Sequence, residues 1–105
     1  MRRKKRAPPD SPITAALFGK TRRRLLAWLF AHPDEAFYVR QLVRIVGGSL
    51  GDVPRELQRL EAAGILRRTR EGRQVYFQPD PASPIFKELS GIFRKTLAGR
   101  PTRAV

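Results

Sequence analysis

The chain has 105 residues, 22 lysines and arginines against 9 acidic residues, one histidine and no cysteine, for a formal charge of +13. That length suits one small domain. The absence of cysteine excludes a disulfide framework, a cysteine-held zinc and thiol chemistry, and a single histidine excludes a His-cluster metal site.

The charge points to a polyanionic partner. It is clustered at Arg2 to Arg6, Lys20 to Arg24 and Arg67 to Arg73. No apolar run approaches the ~18 residues of a membrane span. The basic opening "MRRKKRAPPD" is not followed by the hydrophobic stretch of a secretory signal. A soluble cytoplasmic protein is therefore expected, with residues 1–10 a disordered basic arm. Nothing repeats at a fixed period.

Ser11 as N-cap and Pro12 at the first helical position start a short helix that Gly19 stops. Thr21 reads as the cap of a second helix reaching about Ala31. Leu25, Leu26, Leu29 and Phe30 form its buried stripe, with Trp28 beside them as core or subunit contact. His32 reads as a structural histidine near the helix end. After an extended entry at Phe37 and Tyr38, Val39, Leu42, Val43 and Val46 give the apolar face of a third helix. Arg40, Gln41 and Arg44 point outward from it, and Gly47 and Gly48 end it.

The stretch "GGSLGDVP" is not a phosphate-binding loop, because the required Lys-Ser/Thr is missing and a helix leads into it. Pro54 has no N–H and would break a helix begun at Ser49. In a helix begun at Asp52 it falls in the first turn, where no N–H partner is needed. The fourth helix is therefore expected over about 52–63, after an irregular or 3₁₀ lead-in at 49–51. Val53, Leu57 and Leu60 line its buried side. "ILRRTR", "EGR" and "QVYFQ" then predict a β-hairpin, and Ser83 and Pro84 read as the start of a last helix.

Two short helices joined by a glycine turn and followed by a hairpin make a winged helix-turn-helix: mainly α, with a small β wing. "VPRELQRLEAAGIL" and "RTREGRQVYF" resemble the recognition helix and wing of ArsR-like transcriptional regulators. The resemblance runs from about Ile13 to Leu97. "LFGKTRRRLLAWLF" with "PDEAFYVRQL" is similar to a prokaryotic subgroup sometimes fused ahead of a nucleotidyltransferase domain, which this chain does not contain. Metal-sensing members of the family carry cysteines or histidines, so the resemblance implies no metal effector here, and no cofactor is expected.

On this reading residues 11–80 form the DNA-binding domain, 81–98 a dimerisation helix and 99–105 a tail, and the partner is double-stranded DNA. Arg55, Gln58 and Arg59 on the outward face are candidates to read base edges, arginine on guanine and glutamine on adenine. Asp52, as helix cap or acceptor from a cytosine amino group, and Pro54, as a stiff apolar contact, share that end. Glu56 and Glu61 read as surface partners of neighbouring arginines. Lys20, Arg22, Arg23, Arg40, Arg44, Ser49, Arg70 and Arg73 read as phosphate contacts. If about six engage, the log–log salt slope is near −5. Ile85, Phe86, Leu89, Ile92 and Phe93 form a wide apolar face, to pack on the domain's own helices or on a second copy; a homodimer is the expectation.

Two other classes stand beside this one. No nucleophile, acid and base converge in the sequence, which speaks against an enzyme. A winged helix serving as an accessory interaction module, of nucleotidyltransferase or toxin–antitoxin type, fits the same elements. RNA binding lacks a supporting motif.

Overall fold

A computed structural model describes residues 11–97. The basic arm and the tail of the sequence reading lie outside those residues. Five helices and three strands follow in the order α1 (Pro12–Leu17), α2 (Lys20–Ala31), β1 (Phe37–Tyr38), α3 (Val39–Val46), α4 (Asp52–Ala62), β2 (Leu66–Glu71), β3 (Gln74–Pro79) and α5 (Phe86–Leu97).

The core is built around α2. Its residues from Leu25 to Phe30 are all buried, because α1, α3, α4, α5 and β3 pack on it from different sides. The apolar stripe legible in the sequence is thus only part of the buried surface. Trp28 belongs to the core, edge-on to Phe37 with ring centroids 5.7 Å apart. His32 terminates α2: Nδ1 lies 2.9 Å from the Trp28 carbonyl, and its ring sits 4.1 Å from the indole. It is a structural histidine, as expected. Thr21 is not the cap of α2. The cap position is Gly19, without a side-chain cap, and the Gly19 carbonyl accepts from the Arg23 N–H at 2.9 Å.

The turn between α3 and α4 uses its two glycines differently. Gly47 ends α3 in the left-handed region (φ 70°), which a β-carbon disfavours. Gly48 is needed for space: a β-carbon there would stand 2.7 Å from Cγ2 of Val53, a core residue of α4. The start of α4 is close to the sequence expectation. Pro54 is its third residue. The lead-in is more regular than expected, since the Val53 N–H already donates to the Ser49 carbonyl at 3.1 Å, in the α-helical i to i−4 pattern.

The sheet has the order β1-β3-β2, all antiparallel. The sequence pointed to the β2–β3 hairpin; that the two-residue entry strand β1 pairs with β3, Phe37 opposite Phe77, came only from the structure. Gly72 and Arg73 form the two-residue hairpin loop, with Gly72 at φ 62° as such tight turns require.

The last helix begins later than Ser83–Pro84 suggested. The Asp80 carboxylate accepts from the Ala82 N–H at 2.9 Å, and the Ser83 carbonyl accepts from Phe86 at 3.1 Å, so the chain turns before α5 starts at Phe86. Leu89 and Phe93 are buried within the chain. Phe93 stacks on Phe18 and Phe30 at 5.8 and 6.1 Å, and Phe86 lies 5.8 Å from Phe30.

Candidate nucleic-acid interface

The amino-acid spacing of α4 sorts its side chains into three groups around the helix. Val53, Leu57 and Leu60 are buried against the body. Arg55 lies opposite them. Pro54, Gln58 and Glu61 occupy the flank facing the wing, where they line a cleft with Val39, Arg68, Val75 and Phe77. Asp52, Glu56 and Arg59 occupy the other flank and line a groove with Arg55 and the first residues of α2, Gly19 to Arg22.

The α2 flank is heavily cross-linked. Glu56 accepts a two-pronged pair from Arg22, Nε to Oε1 at 2.8 Å and Nη2 to Oε2 at 3.2 Å. The pair is partly shielded, and the hydrogen bond to Glu56 raises the Arg22 guanidinium above its ordinary value against the opposing effect of burial. Arg22, whose sequence position suggested a phosphate contact, therefore bolts α4 to α2. The expectation of local partners for Glu56 was correct only for Arg59, 3.9 Å away; its principal partner is 34 residues distant, a pairing that no helical spacing reveals. Arg23 also turns inward, its Nη1 donating to the Phe18 carbonyl at 3.2 Å. Arg24, which the sequence marks only as part of a basic cluster, donates to the Val46 carbonyl at 3.3 Å and ties α2 to the end of α3.

At the start of α4 Ser49 takes the capping role expected of Asp52. Ser49 Oγ accepts from the Asp52 N–H at 2.9 Å, so Ser49 is the capping residue. Its hydroxyl proton can still be donated outward. The Asp52 carboxylate instead sits 3.5 Å from Nη2 of Arg55, with both side chains exposed. Lys20 lies close by, lining a recess with Thr21, Arg24, Gly47, Gly48, Ser49 and Asp52.

The structure thus gathers Lys20, Ser49, Asp52, Arg55 and Arg59 around the N-terminal half of α4. Arg40 and Arg44 are exposed on α3. Arg70 and Arg73 form a separate group at the wing tip, where Arg70 Nε donates to the Gly72 carbonyl at 3.3 Å. Among the described residues no three His, Asp or Glu side chains gather as a metal site, and no helix is long and apolar enough to cross a membrane.

A helical core, a glycine turn that presents α4, and a three-stranded sheet carrying a hairpin define a winged helix-turn-helix. Solved structures share this fold. A "possible transcriptional regulator" from Methanosarcina mazei Go1 superimposes with a TM-score of 0.61 at 16% identity, over 78% of this chain and 72% of that one. A MarR-family transcriptional regulator from Silicibacter pomeroyi superimposes with a TM-score of 0.59 at 24% identity, over 78% of this chain and 56% of its own length. No protein-family model and no curated protein matches the sequence.

Proposed function

We propose that the chain is a cytoplasmic, sequence-specific regulator of transcription that binds double-stranded DNA. In this reading α4 lies in the major groove and the wing tip rests on the backbone or minor groove. The observation that carries it is the exposed face of α4: Arg55 at its crest and Gln58 beside it, both suited to paired hydrogen bonds with base edges, on a helix held by its other side. The likeness of fold to two proteins described as transcriptional regulators supports it. The ArsR-like type rests on the motifs of α4 and the wing. Neither a cofactor nor a metal effector belongs to this reading.

Lys20, Arg40, Arg44, Arg70 and Arg73 supply the phosphate contacts, with Ser49 adding a neutral donor. Five neutralised phosphates correspond to a log–log salt slope of about −4.5. The base-reading set is Asp52, Pro54, Arg55, Gln58 and Arg59. Selection of duplexes from a random pool, followed by titration of the best one at several salt concentrations, tests both parts. A defined consensus and a steep slope are expected. Binding without sequence preference would favour the accessory-module reading, and a slope shallower than about −2 would remove this surface as the DNA footprint.

A homodimer reading two half-sites is also proposed. Since Leu89 and Phe93 are buried in their own chain, the surface left to a second copy is Ile85 with the outer edges of Phe86 and Ile92, joined by the exposed Ile13 and Leu17 of α1. Light scattering on the full chain and on the double variant Ile13→Ser, Leu17→Ser checks this. A dimer mass that falls to the monomer is expected; a monomer for both ends the dimer proposal.

A further inference from the structure

Among the described residues Leu50 is the most exposed of the large apolar side chains, at 63%, and it stands just ahead of α4. The Ser49 carbonyl accepts from the Val53 N–H and Gly51 is in helical conformation, so Leu50 lies in the turn that leads into α4, before Pro54 in the chain. Among the described residues nothing covers either one fully. Their neighbours Ser49, Asp52 and Arg55 are polar and exposed, so the tip presents an apolar edge inside a hydrogen-bonding frame.

Burying an apolar side chain is favourable only against an apolar partner. In the major groove, the apolar feature is the 5-methyl group of thymine. A helix-turn-helix brings the N-terminal residues of its second helix to the base edges. The Asp52 carboxylate fits the same placement, because its charge is met by Arg55 at 3.5 Å and would be repelled by the phosphate backbone. We infer that Leu50, with Pro54 behind it, is a specificity-determining contact to thymine methyl groups, so that the preferred site carries thymine opposite the tip of α4. This rests on the DNA-binding reading above and adds to it the identity of a base.

The experiment uses the full chain and a Leu50→Ser variant, whose substitution lies at an exposed position and removes no core contact. Each selects duplexes from a random pool. In the wild-type consensus duplex every thymine is then replaced singly by deoxyuridine, which deletes only the methyl group. One or two positions at which wild-type affinity falls about fourfold are expected, the equivalent of about 0.8 kcal/mol for one methyl group. At those positions Leu50→Ser should bind thymine and uracil duplexes equally, while selecting the same bases elsewhere. A wild-type consensus in which no methyl deletion matters overturns the inference and leaves the DNA-binding reading intact. So does a methyl sensitivity that survives in Leu50→Ser. A wild type that selects no consensus overturns both.

Discussion

The two flanks of α4 are used in opposite ways. On the flank facing α2, Glu56 is held by Arg22 at 2.8 Å and approached by Arg59. On the wing flank, Pro54 and Gln58 line an open cleft, and Gln58 makes no described hydrogen bond within the chain. One side fixes the helix and the other presents it. Formal charge therefore overstates the charge available to a partner, since Arg22, Arg23 and Arg24 are engaged with the protein itself.

The sharpest way to break this contrast is at the bases. Arg55→Ala and Gln58→Ala should each cost about 1–3 kcal/mol of discrimination on the selected duplex, roughly five- to 150-fold in affinity. The loss should fall on the consensus sequence and leave binding to random duplex nearly unchanged. Arg59→Ala should cost less than Gln58→Ala, because its guanidinium is already drawn toward Glu56. Anisotropy titrations that rank Arg59 above Gln58 would reverse the assignment of the flanks.

The turn that aims the helix offers the next effect. Gly48→Ala forces a β-carbon against Val53, and overpacking of this kind destabilises by about 1–3 kcal/mol. A lowered midpoint in thermal or denaturant unfolding is the expected result. An unchanged midpoint would mean that the turn yields and that Gly48 does not set the angle of α4. A smaller loss, about 1 kcal/mol for a half-exposed ion pair, is expected for Arg22→Gln. If Arg22 serves only as a bolt, the variant should leave the salt slope of DNA binding where it was; a shallower slope would restore it to the phosphate contacts. The charge-swapped pair Arg22→Glu, Glu56→Arg should recover part of the stability.

The sequence carried much of this because local rules govern most of the elements. Pro54 limited the start of α4, the glycines marked its turn, and "REGRQVYF" marked the hairpin. The pairing of β1 with β3 was not legible, because a two-residue strand has no period to detect. Arg22–Glu56 was hidden for a related reason: the fold alone brings together residues 34 apart. Thr21 is a suitable cap by type, yet Gly19 holds that place; Ser83 Oγ does accept from the Ile85 N–H at 3.4 Å, but the regular helix starts only at Phe86. The apolar face of α5 was evident, but a periodicity gives the width of a face and not the surface it meets.

The smallest effect concerns the wing. Arg73 sits in the two-residue loop, exposed, and Arg70 reaches back to the Gly72 carbonyl. If the wing contributes by charge alone, Arg73→Ala should weaken binding to consensus and random duplexes by the same factor. It should also make the salt slope shallower by about 0.9, the value for one phosphate. Arg44→Ala on α3 should do the same, and the double variant should lose about twice as much slope, since the two lie on separate elements and, among the described residues, no hydrogen bond or ion pair joins them. Removing Arg73 would have a different signature if the wing reads a minor groove: the loss would depend on the sequence flanking the consensus, because a narrow groove attracts arginine more strongly. Titrating Arg73→Ala on duplexes that differ only in those flanks separates backbone contact from groove contact.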